Sequence, residues 1–91
     1  MATIENQTIS KARQDLAERL DVSDSGITTV GVEQADFPDA SLGAPCEDEM
    51  SAQVITPGWR IRFKAGGDTY EYRATERQLR LVNFKGRNYR V

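Results

Sequence analysis

The sequence predicts an α+β fold: one N-terminal helix packed on a twisted antiparallel sheet of four to five strands. Residues 8–20 repeat their apolar side chains at intervals of three and four, which is the spacing of one helical face. Residues 59–74 alternate apolar and charged side chains around Gly66-Gly67, which is typical of a β-hairpin. Because 91 residues can build only one modest core, residues 1–91 are expected to form a single domain.

The helix is predicted over residues 8–20, and the first strand is predicted over residues 27–33. The apolar stripe of the helix consists of Ile9, Ala12, Leu16 and Leu20. A partner protein could cover such a stripe, but a small domain with one sheet needs the helix as its own cover. In the strand, β-branched residues dominate and Gly31 marks a candidate bulge.

The hairpin over residues 59–74 has a register that follows from its two-residue turn. This register pairs Ala65 with Asp68, Phe63 with Tyr70, Arg62 with Glu71, Ile61 with Tyr72, and Trp59 with Ala74. One face of the hairpin is therefore aromatic and buried, and the other is charged and solvated. Residues 79–91 are predicted to add the C-terminal strands, with a turn over residues 85–88.

An irregular insert over residues 36–58 separates the first strand from the hairpin. It holds all three prolines of the chain and its single cysteine, Cys46, and residues 52–56 within it predict a short strand. Functional loops commonly have this irregular, proline-stiffened character, and a rigid scaffold carries them. We therefore interpret the insert as the functional segment of the domain.

Charge is distributed unevenly along the chain. Residues 1–58 carry three basic and eleven acidic side chains, whereas residues 59–91 carry nine basic and three acidic ones. In one arrangement the two halves occupy separate surfaces and the basic face binds an anionic partner. In the other arrangement the two halves pair with each other across the fold. The sequence leaves both arrangements open.

The sequence offers few candidates for a catalytic or metal site. There is no histidine, which removes the commonest general base and the commonest metal ligand. Cys46 stands before three acidic residues at 47–49, which disfavour the thiolate that a nucleophile needs. The acidic residues lack the spacing of a calcium loop, and the glycine pair of the hairpin precedes no helix that could bind phosphate. We therefore expect no enzymatic activity, catalytic residue, metal site or cofactor.

Three segments resemble a family of small bacterial, cyanobacterial and plastid domains. The segments are DFPDASLGAP, AQVITPGWRI and TYEYR, and the family pattern is roughly W-P-D-x-S-L-G-C-P, then Q-V-x-T-P-G-Y-R-I, then Y-E-Y-H. The resemblance spans about residues 12–74 and implies no established activity. The chain departs from the pattern at Phe37, Ala44, Trp59 and Arg73, where the family has Trp, often Cys, Tyr and His.

The departure at Ala44 bears on cellular location. Exported members of the family pair the cysteine that Ala44 replaces with a second cysteine near the C-terminus, and residues 79–84 contain none. The sequence also lacks the pattern of a signal peptide and an apolar run of membrane-spanning length, so a cytoplasmic protein is expected. The tail LVNFKGRNYRV resembles intracellular cyanobacterial members, which implies an accessory protein of a photosynthetic or redox complex.

We therefore expect a non-enzymatic protein-interaction or accessory module whose partner has an acidic surface. Its contact residues are predicted in the insert, at Pro38, Asp39, Ser41, Leu42 and Gly43, and on a basic face, at Arg60, Arg62, Arg73, Arg77, Arg80 and Arg87. One alternative is a peptidase inhibitor or peptide-binding domain, because cystatin-like and PepSY-like folds arrange a helix and an antiparallel sheet in the same way. Another is single-stranded nucleic-acid binding by the basic C-terminal third, which the acidic half disfavours by repelling the phosphate backbone.

Overall fold

The computed structural model describes residues 6–46, 49–50 and 52–91 of the chain. The elements are α1 (Asn6–Leu20), a 3-10 turn (Asp24–Gly26), β1 (Thr28–Phe37), β2 (Thr56–Ala65), β3 (Asp68–Ala74), β4 (Leu79–Phe84) and β5 (Arg87–Arg90). The strands form one antiparallel sheet in chain order, so β1 and β5 are its edges. The predicted α+β fold is confirmed, with five strands in the sheet.

Helix α1 covers one face of the sheet, which we call the helix face. The helix begins at Asn6, before the predicted start at residue 8. From its apolar stripe, Ala12 and Leu16 are fully buried, and Ile9 and Leu20 pack at the margin of the core. The sheet residues in this core include Ile61, Phe63, Tyr72 and Leu81. In the part of the chain that is described, no helix has the length and apolar character that crossing a bilayer requires.

The hairpin between β2 and β3 has the predicted register at every pair. Gly66 and Gly67 have φ angles of 59° and 87°, and a type I′ turn requires this left-handed conformation at both positions. On the helix face, the rings of Phe63 and Tyr72 meet edge to face with their centres 5.8 Å apart. The side chains that alternate with these residues lie on the opposite side of the sheet, which we call the loop face.

The first strand, β1, is longer than the sequence predicts. It continues beyond residue 33 because its pairing with β2 extends as far as Phe37, opposite Thr56. The register is irregular between Thr29 and Gly31, at the predicted bulge. The extension turns the start of the predicted insert into ordered sheet.

The irregular insert is correspondingly shorter. Residues 36–37 belong to β1 and residues 56–58 belong to β2, so the connection between the strands covers residues 38–55. The strand predicted over residues 52–56 is wrong except at Thr56. The pairing of β2 with β1 begins at Thr56, and no strand of the described residues lies beside the preceding segment.

The C-terminal strands follow the prediction over Leu79–Phe84 and differ after it. Strand β5 begins at Arg87, so the turn consists of Lys85-Gly86 rather than residues 85–88. Both turn residues have positive φ angles, 52° and 83°, and the reversal is therefore as tight as that of the central hairpin.

Candidate interaction surfaces

The loop over residues 38–46 is built around the carboxylate of Asp39. Its Oδ1 atom accepts hydrogen bonds from the Ser41 hydroxyl at 2.6 Å, the Ser41 backbone N–H at 3.0 Å and the Gly43 N–H at 3.1 Å. These bonds lower the pKa of Asp39, and the Ser41 hydroxyl makes the largest contribution. Leu42 and Gly43 have positive φ angles of 60° and 68°, which reverse the chain. The Asp-x-Ser-Leu-Gly sequence is therefore a turn-forming element.

The loop packs on the loop face of the sheet and forms a second small core there, so the expectation that the chain builds only one core is wrong. Phe37 and Leu42 are 2% and 0% exposed, although neither belongs to the core beneath α1. The guanidinium of Arg73 lies 5.3 Å from the centre of the Phe37 ring, and its Nη1 atom donates to the Leu42 carbonyl at 2.8 Å. Gln78 Nε2 donates to the Ala40 carbonyl at 2.8 Å. Side chains of β3 and of the β3–β4 turn thus hold the loop by its backbone carbonyls.

An ion pair between buried Arg80 and half-buried Glu49 fixes the segment that follows this loop. Arg80 on β4 is only 4% exposed. Its Nη1 and Nη2 atoms donate to the two carboxylate oxygens of Glu49 at 2.5 and 2.8 Å, and Nη1 also donates to the Ala44 carbonyl at 3.2 Å. The hydrogen bond from Arg80 and then that from the Cys46 backbone N–H lower the pKa of Glu49 to about 2. The pKa of Arg80 is raised by the same bond, so both groups stay charged.

The predicted contact residues differ in their exposure. Ser41, Leu42 and Arg80 are buried, so in this conformation they support the loop and do not reach the surface. The exposed members of the predicted set are Pro38, Gly43, Arg62, Arg77 and Arg87, and the half-buried members are Asp39, Arg60 and Arg73. The structure brings the insert residues together with the arginines of β3 and β4, and Arg87 on β5 lines a second pocket with Pro45 and Cys46 at the end of the loop. For the exposed and half-buried residues, contact with a partner stays a prediction.

The basic side chains of the loop face lie among carboxylates. Arg60 Nη1 is 3.0 Å from Glu33 Oε1. Arg73 Nε is 2.7 Å from Glu71 Oε2, and Arg62 Nε is 3.5 Å from Glu71 Oε1. Because Glu33 belongs to the acidic half of the chain and Arg60 to the basic half, the two halves do pair across the fold. This pairing reduces the positive potential that the sequence suggested for this face.

Cys46 has a half-buried free thiol at the end of the loop. Its Sγ atom lies 3.8 Å from Nη1 of Arg80, whose guanidinium is already paired with Glu49. Glu47 and Asp48, the other two acidic residues that follow Cys46, lie outside the described residues. Among the residues that are described, no group of three or more carboxylate or thiol side chains is arranged to hold a metal ion.

The outer side of β1 is a free edge: no strand in the ranges 6–46, 49–50 and 52–91 pairs with it. The strand has ten residues, and most of them are exposed. Val30 and Val32 are 57% and 37% exposed. The strand contains no lysine or proline, which commonly protect edges, and its charged residues are Glu33 and Asp36. Sequence reasoning found the strand but missed the edge, because edge position depends on the order of strands in the sheet.

A groove with a volume of about 740 Å³ lies at the end of this edge. Its walls come from the end of β1, the start of β2 and the β3–β4 turn, and they include Asp36, Pro57, Trp59, Glu76 and Arg77. Trp59, the only tryptophan of the chain, is half-buried here, whereas its hairpin position predicted full burial. No ion pair between described residues engages Asp36, Glu76 or Arg77. No sequence pattern predicted the groove, because its walls are far apart along the chain.

A family model described as "Domain of unknown function (DUF8738)" matches residues 9–82. The match extends from the first turns of α1 into β4 and includes the loop and both of its anchoring arginines. No curated protein and no solved structure was found to match the chain. The match agrees with the predicted resemblance to an uncharacterised family. The motif pattern, the cyanobacterial origin and the cystatin-like comparison stay predictions.

Proposed function

The chain belongs to the family described as a domain of unknown function (DUF8738), and from its geometry we propose that it is a non-enzymatic protein-interaction module that binds an extended polypeptide segment. The segment adds a strand to the sheet at the outer edge of β1. The proposal joins the predicted interaction module to the peptide-binding alternative, and it assigns the contact to β1 rather than to the insert.

The observation that carries the proposal is the length and openness of β1. Its ten residues span about 33 Å of extended chain, and no strand of the described residues pairs with its outer side. Val30 and Val32 place exposed apolar side chains beside these groups. An edge of this kind pairs with other chains unless it is protected, and β1 has only two carboxylates and one register irregularity as protection.

The loop over residues 38–46 serves as scaffold in this proposal. Its carbonyl groups are bonded to Arg73, Gln78 and Arg80, so its backbone is already engaged with the sheet. Freeing the loop for a partner would leave Arg80 buried without its carbonyl and carboxylate acceptors, which is costly. The outer side of β1 can accept a strand without displacing any strand of the described residues.

Two other predicted functions depend on free arginines. An acidic partner and a single-stranded nucleic acid would both use the basic face, in which ion pairs engage Arg60, Arg62, Arg73 and Arg80. Arg77 and Arg87 have no ion pair with a described carboxylate and are the residues on which these functions would depend. A role in a photosynthetic or redox complex rests on the sequence resemblance alone. All three stay predictions.

Selection of peptides that bind the whole 91-residue chain, followed by amide exchange measured by NMR, tests the proposal. We expect the selected peptides to slow exchange in β1 and to bind Val32→Lys about tenfold more weakly, because an edge lysine opposes strand addition. Val22 is 44% exposed but lies outside the sheet, so Val22→Lys is the matched control and keeps the wild-type affinity. Peptides that protect residues 38–46 instead of β1, or that bind Val32→Lys as tightly as wild type, would overturn the proposal.

A further inference from the structure

Resting on the proposed function, we infer that the groove at the end of β1 holds a lysine or arginine side chain of the segment that pairs with this strand. The groove and the strand edge share Asp36, so a segment that follows β1 to its end passes the opening of the groove. Asp36 pairs with Pro57 in the sheet, and Trp59 follows two residues later on the same face of β2. Alternate side chains of the added strand therefore lie on the same side of the sheet as Trp59, across β1 from it.

The groove offers the three kinds of contact that a long cationic side chain makes. The carboxylates of Asp36 and Glu76 outnumber the guanidinium of Arg77, so the charge of the lining is negative. Trp59 has the aromatic face on which an ammonium or guanidinium group binds best. Pro57 adds apolar surface against which the methylene stem of the side chain packs.

The opposite occupant, a glutamate side chain or a chain terminus, would depend on Arg77 alone. Arg77 is exposed, and a carboxylate beside it would also face Asp36 and Glu76. Repulsion from two carboxylates offsets attraction to one guanidinium at similar range. The electrostatics of the groove therefore select a cation.

The experiment uses soluble peptides of alternating threonine and valine that carry lysine, norleucine or glutamate at one position, which is moved along the series. Binding to the full chain is followed by two independent signals: amide shifts in β1 and the fluorescence of Trp59, which is the only tryptophan. At the position that reaches the groove, we expect the lysine peptide to bind about fivefold more tightly than the norleucine peptide. The glutamate peptide should bind more weakly than both.

Substitutions distinguish the contribution of the groove to binding from that of the strand edge. Asp36→Asn combined with Glu76→Gln should abolish the preference for lysine over norleucine and leave the β1 amide shifts intact. Glu18→Gln removes one exposed carboxylate from α1, far from the groove in the sequence, and should keep the wild-type preference. Trp59→Leu should reduce the preference by removing the aromatic face.

The outcomes distinguish the inference from the function on which it rests. If the three peptides shift the β1 amides with equal affinity, the strand edge binds polypeptide and the groove assignment is overturned. If the glutamate peptide binds most tightly, Arg77 is the anchor and the inference is overturned in the same way. If no peptide in the series shifts the β1 amides, strand addition itself fails and the proposed function falls with it.

Discussion

The buried Arg80 and the half-buried Glu49 form a two-point ion pair just beyond the loop, with N–O distances of 2.5 and 2.8 Å. Glu49 lies in the connection between β1 and β2, whereas Arg80 lies on β4, so the pair joins segments 31 residues apart. Two parallel hydrogen bonds between planar groups fix direction as well as distance. The pair therefore determines where the end of the loop lies on the sheet.

Removing one partner of this pair should destabilise the fold strongly. We expect Arg80→Ala to lower the free energy of unfolding by about 3–5 kcal/mol, because the carboxylate of Glu49 loses its buried counter-charge. Arg90 is the matched control: its Nη1 atom lies 3.7 Å from Glu49 Oε2, but its side chain is 68% exposed. Arg90→Ala should therefore cost less than about 1 kcal/mol. Urea unfolding at neutral pH measures both values, and equal losses would show that burial of the pair contributes nothing.

The same pair should make stability depend on acid. The pKa of Glu49 is lowered from 4.5 to about 2 in the folded protein, chiefly by its hydrogen bond from Arg80. The stabilisation is therefore complete above the pKa that Glu49 has in the unfolded chain, and it is lost as the pH falls from about 5 toward 2. We expect the urea midpoint of the wild type to fall as the pH is lowered across this window, and we expect a smaller decrease for Glu49→Gln. Glu18→Gln, on the exposed side of α1, should keep the wild-type profile, and a wild-type profile for Glu49→Gln would refute the assignment.

Gly58 provides the space into which the ring of Phe37 packs. A Cβ atom at Gly58 would clash with the Ala74 carbonyl oxygen and would lie 3.2 Å from Phe37 Cε2. We expect Gly58→Ala to lower the free energy of unfolding by about 1–3 kcal/mol, because strand β3 and the second core must both shift. Gly31→Ala, in the neighbouring strand, would place its Cβ atom with no heavy atom within 4 Å and should change stability by less than about 1 kcal/mol. Thermal unfolding compares the two variants, and equal Tm values would contradict the steric argument.

The helix and the hairpin follow from the sequence because their contacts repeat at short range. The spacing of Ala12 and Leu16 indicates one buried face of α1. Gly66-Gly67 fixes a two-residue turn, and a two-residue turn leaves one register for every later pair of the hairpin. The predicted strand ended too early, at residue 33. The residues that follow it have low intrinsic strand propensity, and their pairing with β2 keeps them in β1.

The attachment of the loop does not follow from the sequence, because it depends on contacts between distant segments. Arg73 and Arg80 alternate with core residues and therefore resemble solvated arginines, yet they bond carbonyls 31 and 36 residues away. The turn within the loop could have been predicted, because the spacing of Asp39, Ser41 and Gly43 suits an aspartate that caps its own turn. This spacing identifies Asp39, Ser41 and Gly43 as turn-forming residues, whereas the free edge of β1 could be found only from the order of strands in the sheet.

Tyr72 makes a part-buried hydrogen bond that links the sheet to α1, and it provides a further test. Its hydroxyl donates to Asp15 Oδ2 at 2.7 Å, and its side chain is fully buried. Burial, and then the bond to Asp15, raise the pKa of Tyr72, so this stabilisation is present below the usual tyrosine value and is lost as the pH rises above about 10. We expect Tyr72→Phe to lower the free energy of unfolding by about 1.5–3 kcal/mol at neutral pH and to flatten the alkaline loss. Tyr70→Phe is the control, because Tyr70 is half-buried, and it should keep the alkaline slope of the wild type. If both variants keep that slope in urea unfolding between pH 8 and 11, the phenol of Tyr72 does not cause it.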